Sequence, residues 1–162
     1  MNIFFYNFPI GQVGIGEKGG AICRVYFGKD NAPAEFIPKK TPLISTAALQ
    51  IREYFEGKRT TFELPFSYEG TEFQRKVWDE LMKIPIGETR SYREIAEAVG
   101  NPKAFRAVGM ANHRNPLALF IPCHRVINND GGLGGYAGGL NAKKYLLELE
   151  SRYLGFANWT AQ

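Results

Sequence analysis

Three helix starts between residues 71 and 113 constrain the fold of this chain more than any other feature. Thr71-Glu72-Phe73-Gln74 and Ser91-Tyr92-Arg93-Glu94 are both capping boxes. In each, a hydroxyl can accept from the first-turn amides, and a longer polar side chain can reach back to the cap. Phe73, Val77 and Leu81 then share one helical face, and Pro85 and Gly87 end that helix. Gly100 closes the second helix, and Asn101-Pro102 caps and starts a third that runs to about His113. Two short helices joined by a tight Gly-Asn-Pro turn predict a helix-turn-helix. A last amphipathic helix is expected from near Asn141, carrying Tyr145, Leu146 and Leu149, with Gly155 after it.

The first third has a different period. Gly11 to Gly16 and Ala21 to Phe27, separated by Glu17-Lys18-Gly19-Gly20, read as a hairpin with a glycine turn. Thr41-Pro42 is an N-cap with proline at the first helical position; Ile44, Ala47, Ala48, Ile51 and Phe55 follow at helical spacing, and Gly57 stops the run. Residues 1–65 are therefore expected to form an N-terminal α/β domain and residues 66–162 a mainly helical C-terminal domain, with Thr61 to Gly70 as the linker. An apolar fraction of 44% in 162 residues supplies enough side chains for such cores.

No apolar run reaches the ~20 residues of a membrane span, and the N-terminus lacks the pattern of a signal peptide. The expected location is intracellular: cytoplasmic, or nuclear in a eukaryote. Cys23 and Cys123 lie far apart without metal-type spacing and read as free thiols, Cys23 in the core. The formal charge is +4, and from Ala98 to Asn129 there is no Asp or Glu, while Lys103, Arg106, Arg114, Arg125 and both histidines lie there. Such a stretch forms either a solvated basic face or a surface that meets phosphates.

Ile121-Pro122-Cys123-His124-Arg125-Val126 is the stretch with the most chemistry. The thiolate is the reactive form of cysteine, and neighbouring positive charge or an imidazole favours it. A free cysteine is also a common buried hydrophobe. The adjacent histidine, the local positive charge and the glycine-rich stretch Gly131 to Gly139 weigh toward reactivity. In a strand, Cys123 and His124 would point to opposite faces, so cooperation needs a turn or a bridging water. Gly131 to Gly139 lacks the Gly-Lys-Ser/Thr ending of a phosphate loop and reads as a close-approach loop.

Pro122-Cys123-His124-Arg125-Val126 resembles the active-site motif of the O6-alkylguanine-DNA alkyltransferases. Ser91-Tyr92, Asn101-Pro102-Lys103-Ala104, Arg106-Ala107-Val108-Gly109, Asn115-Pro116 and Tyr136-Ala137-Gly138-Gly139-Leu140 resemble the same family in its order and spacing. The resemblance is strong from Phe73 to Glu150 and rests on length and character before that. It implies a ribonuclease-H-like first domain and a winged helix-turn-helix-like second one. It implies single-turnover, irreversible transfer of an alkyl group from guanine O6, or thymine O4, to Cys123 after the damaged nucleotide is flipped out.

By the same resemblance His124 is the base acting through a water, Glu150 orients it, and Asn115 ties the helix-turn-helix to the active-site turn. Tyr92 bonds a guanine ring nitrogen and protonates the leaving base. Arg106 enters the duplex, and Ser91, Lys103, Ala107 and Arg114 complete the DNA contact. Arg125, Val126 (through its carbonyl), Tyr136 and Ala137 join Tyr92 in framing the pocket. Ala137 stands where some members carry serine, and Asn112 and His113 stand at variable positions. The implied partner is double-stranded DNA bearing alkylated guanine, with no cofactor, no metal and no membrane. The chain is expected to act as a monomer, with cooperative assembly on DNA left open. The rivals are a non-catalytic alkylguanine-binding module and a cysteine hydrolase; neither uses helix-turn-helix and thiol together.

Overall fold

The structure, a computed structural model, describes residues 1–160, with side chains described through Tyr153. It divides into two compact units, Met1–Glu69 and Gly70–Gln162.

The first unit is a four-stranded sheet with one helix. Its strands are β1 (Asn2–Phe8), β2 (Gly11–Lys18), β3 (Ala21–Phe27) and β4 (Ile37–Pro38), in the order β3-β2-β1-β4. β2 pairs antiparallel with β1 and β3, and β4 runs parallel to β1. Gly19 and Gly20 both take positive φ (62° and 79°), as a tight hairpin with right-handed strand twist requires. Helix α1 (Pro42–Phe55) starts as expected, with Thr41 Oγ1 accepting from the Ile44 amide at 3.1 Å. Ile44, Ala47 and Ile51 are fully buried, as are Ile3, Val13, Ile15 and Ile22 of the sheet that α1 packs on. The stretch expected to be a linker is instead bound along the edge of β3. The Ile22 amide donates to the Pro65 carbonyl at 2.8 Å and its carbonyl accepts from Ser67 at 3.0 Å. An edge strand has free donors and acceptors that this segment satisfies, which places the division after Glu69 rather than after residue 65.

The second unit is helical. Both capping boxes form, at the start of α2 (Glu72–Met82) and of α3 (Tyr92–Ala98). Val77, Trp78 and Leu81 are the buried face of α2, and Trp78 Nε1 donates to the Ala111 carbonyl at 2.9 Å. Phe73 is only half-buried. Helix α4 (Phe105–His113) starts later than Asn101-Pro102 suggests. The Ala104 amide closes a turn on the Asn101 carbonyl at 3.0 Å, so Pro102 sits in that turn and Ala104, with no side-chain cap, begins the helix. Two short strands, β5 (Arg90–Ser91) and β6 (Val126–Ile127), pair in parallel and tie the start of α3 to the segment after Cys123. Helix α5 (Leu140–Thr160) buries Leu146 and Leu149 and continues through Gly155, since one glycine costs a helix about 1 kcal/mol without ending it. Among the described residues no helix is long and apolar enough to cross a membrane.

Candidate active site

The segment Leu117 to Val126 is buried throughout, and within it Leu119 takes φ +76°. A branched residue holds that conformation only where its surroundings leave no other, and here the Leu119 side chain is 3% exposed. The fixed bend leads into a 3₁₀ turn at Cys123–Arg125. With about three residues per turn, the side chains of Cys123, His124 and Arg125 fan out instead of alternating as in a strand.

Cys123 is 4% exposed and opens on a cavity of about 150 Å³ whose walls include Tyr92, Asn112, Tyr136 and Ala137. Burial pushes its thiol up to about 11, against the opposing effects of a hydrogen bond from Asn115 and the charge of Lys143. At rest the sulfur is therefore a thiol, and its proton needs an acceptor. His124 follows Cys123 in the turn. The ring is 1% exposed, its Nε2 lies 2.7 Å from Glu150 Oε2, and Nδ1 has no hydrogen-bond partner among the described residues. Glu150 is equally buried. Burial would raise its pKa, but His124 and then Arg125 outweigh it and hold the carboxyl down to about 2.

One expected pocket residue lies elsewhere. Arg125 donates from Nε to Glu150 Oε1 at 2.7 Å, from Nη2 to Oε2 at 3.0 Å and from Nη1 to the Ile84 carbonyl at 2.7 Å. It is a buried clamp on Glu150, neither lining the cavity nor adding to a surface charge. The carbonyl of Val126, expected to face the guanine, accepts from Lys143 Nζ at 2.6 Å and keeps a second lone pair. Lys143 is a site residue that sequence reasoning misses. It is fully buried, also donates to the Gly135 carbonyl at 3.1 Å, and is brought down to about 8 by burial. Its only signal is its place seven residues before Glu150 on α5, which puts both on one helical face.

Asn115 follows α4 and donates to the Ile121 carbonyl at 2.8 Å while its Oδ1 accepts from the Leu117 amide at 2.9 Å. It thus links the end of α4 to the turn that carries Cys123. Tyr92, the first residue of α3, stands between this cavity and a more open one of about 360 Å³ that also touches Phe105. Burial, with the Cys123 charge adding, raises its pKa, so it is a proton donor at neutral pH. Tyr136 meets the His124 ring edge-on at 6.3 Å. Gly134 has φ +72°, and a Cβ there would come within 3.0 Å of the Tyr92 hydroxyl and of Asn128 Oδ1. Gly134→Ala should thus displace the phenol and slow the alkyl transfer that the family resemblance implies by about tenfold or more. Gly139→Ala, equally strained at φ +94° but with open space around it, serves as the control. Equal transfer rates for the two variants would reject the crowding of Tyr92.

Lys103, Arg106, Ala107, Met110, His113 and Arg114 are exposed on or beside α4. The guanidiniums of Arg93 and Arg106 each lie 6.0 Å from the ring of Phe105. The hydroxyl of Ser91 caps α3 by accepting from the Glu94 amide at 3.0 Å. Cys23, expected in the core, is half-buried, with its Sγ 3.5 Å from Met1 Sδ.

Residues 72–152 match the family model of the 6-O-methylguanine DNA methyltransferase DNA binding domain, and residues 3–68 match that of the same family's ribonuclease-like domain. The chain belongs to the 6-O-methylguanine DNA methyltransferase family. Relatives of this methyltransferase family member include the methylated-DNA–protein-cysteine methyltransferase of Methanosarcina barkeri, 53% identical over 90% of this chain and 94% of the relative. The constitutive methyltransferase of that name from Bacillus subtilis is 46% identical over 88% of this chain and 90% of its own. The crystal structure of Mycobacterium tuberculosis OGT in complex with DNA superposes with a TM-score of 0.87 at 41% identity, over 94% of each chain. The mixed fold, a ribonuclease-like sheet unit and a helical DNA-binding unit, is that of the family.

Proposed function

We propose that this methyltransferase family member repairs O6-alkylguanine in DNA by moving the alkyl carbon, once and irreversibly, to Sγ of Cys123. The observation that carries the reading is a buried thiol lining a cavity, backed by a histidine whose far nitrogen is fixed by a buried carboxylate. With Nε2 engaged by Glu150, Nδ1 is the nitrogen left to take the thiol proton through a water. The S–C bond forms as the C–O6 bond breaks, and Tyr92 protonates the departing base on a ring nitrogen. The step leaves His124 with the thiol proton and Tyr92 without its own, and solvent restores both when it takes a proton from the imidazolium and returns one to the phenolate.

A base within a duplex cannot reach a sulfur so deeply placed, so the nucleotide must leave the stack. The exposed face of α4 suits that extrusion. Lys103 and Arg114 meet phosphates without reading sequence, Ala107 permits close approach, and Arg106 holds the gap. The Ser91 hydroxyl can donate to a phosphate while it caps α3. O4-alkylthymine presents the same alkyl–oxygen bond and is a secondary substrate of this reading. The unit beginning at Gly70 holds both the DNA-binding and the alkyl-acceptor residues.

Among the described residues the thioether product has no neighbour equipped to cleave it, so each chain acts once. Incubation with excess duplex carrying O6-methylguanine should add one methyl per chain, located on the Cys123 peptide by mass spectrometry. Sustained turnover, or a methyl group elsewhere, would reject the mechanism. A hydrolase would show neither adduct nor saturation, and a binding module would hold the DNA with its lesion intact.

A further inference from the structure

The cavity of about 150 Å³ beside Cys123 has an outer neighbour of about 360 Å³, and the two share Tyr92 and Gly109 as walls. Small-molecule sites commonly enclose ~300–1,000 Å³, so the outer cavity is the one with ready room for a purine. Phe105, on the first turn of α4, forms one of its walls, and Asn128, Asn129 and Asp130 form a polar edge. That edge is preorganised. Asn129 Oδ1 accepts from the Arg93 amide at 3.0 Å, and Asp130 Oδ1 accepts from the Gly132 amide at 2.9 Å. An aromatic face beside an edge of amides and a carboxylate suits a flat ring with a polar rim. The guanidiniums of Arg93 and Arg106 each stand over the Phe105 ring, 6.0 Å from its centre. Arg106 is exposed and, in the proposed extrusion, leaves that place to hold the gap in the duplex. The movement that fills the stack thus uncovers an aromatic face next to the cavity of Cys123.

We propose that the outer cavity is a second nucleobase site, where the extruded guanine stacks on Phe105 before it passes Tyr92 to reach Cys123. The inference rests on the reading of the inner cavity as the alkylguanine pocket. Arg106 and the base exchange partners: the guanidinium leaves the Phe105 ring for the stack, and the base leaves the stack for the ring. Stacking on an aromatic side chain offsets part of what unstacking costs. Every base has a π face, so the outer site receives alkylated and plain guanine alike and leaves the choice between them to the inner one. Leucine in place of Phe105 would keep an apolar wall without offering a π face.

The test compares single-turnover transfer from O6-methylguanine within a duplex with transfer from the free base, which needs no extrusion. Duplex transfer is measured with protein in saturating excess, so that a loss of affinity does not enter. The ratio of the two rates, taken within each protein, cancels damage to the Cys123 pocket. It should fall by about tenfold or more in Phe105→Leu and stay within about threefold of native in Phe105→Tyr, which keeps the ring. Phe105→Met replaces the leucine variant if that fails to fold. A ratio unchanged by leucine, or lost equally with tyrosine, overturns the stacking role while leaving transfer to Cys123 intact. Absence of transfer from both substrates by the native chain would instead overturn the reading of the inner pocket itself.

Discussion

Cys123→Ser should abolish alkyl transfer, by a factor of about 10⁴ or more, while leaving the protein folded and its DNA affinity within about threefold of native. The size of the loss follows from the acid that must ionise. Burial already pushes the thiol up to about 11, and a serine hydroxyl in the same place is a far weaker acid and a harder nucleophile toward saturated carbon. Passing its proton to His124 would leave a localised oxyanion in a cavity that offers it little solvation. The fold should tolerate the change because serine is smaller and its hydroxyl keeps the Asn115 amide as a hydrogen-bond partner. DNA affinity should persist because the exposed cations on and beside α4 are untouched. Transfer is measured with a radiolabelled methylated duplex, binding by fluorescence anisotropy at fixed salt, and folding by thermal melting. Joint loss of folding and binding would make Cys123 a packing residue.

Glu150→Gln should cost about 3–5 kcal/mol of stability and slow transfer by about 10²-fold or more. The amide keeps the shape of the carboxylate but leaves the Arg125 guanidinium buried without a counter-charge, since its remaining contact is the Ile84 carbonyl. It also removes the anion that fixes the His124 ring. The pH dependence separates these effects from simple cavity damage. The Glu150 carboxyl is held at about 2 in the folded chain against an ordinary 4.5, so its contribution is complete above about 4.5 and is lost as pH falls toward 2. A shift of that size corresponds to roughly 3 kcal/mol. Urea titrations between pH 6 and pH 3 should thus show native stability dropping more steeply than that of Glu150→Gln. Parallel curves would mean that the carboxylate is not stabilised as the geometry requires.

Much of this architecture is visible in the chain because it depends on local chemistry. The capping boxes at Thr71 and Ser91 and the Thr41-Pro42 start of α1 involve residues three apart or fewer, so spacing alone identifies them. The start of α4 is harder, because Asn101-Pro102 suits a turn as well as a helix start, and the Ala104 amide closes that turn. Seen locally, Glu150 is an ordinary helix carboxylate, and only the family resemblance suggests its partner; the ion pair joins residues 25 apart in sequence. Arg125 and Lys143 are the least legible. Both residue types usually keep their charge in water, and nothing near them in sequence indicates that a distant carboxylate or a pair of carbonyls will receive it.

Lys143 and Glu150 lie two turns apart on α5 with the fully buried Leu146 between them. One helix thereby sets both the spacing of the cavity walls, through the carbonyls of Val126 and Gly135, and the charge behind the histidine. Loosening of α5 would therefore disturb the chemistry directly, while the exposed residues of α4 lie on another helix. Were α5 to peel away in a partial opening, the chain would still present α4 to a duplex and could occupy a lesion it was unable to mend. Hydrogen exchange along α5, more than the global unfolding midpoint, would then report the fraction of molecules competent for repair.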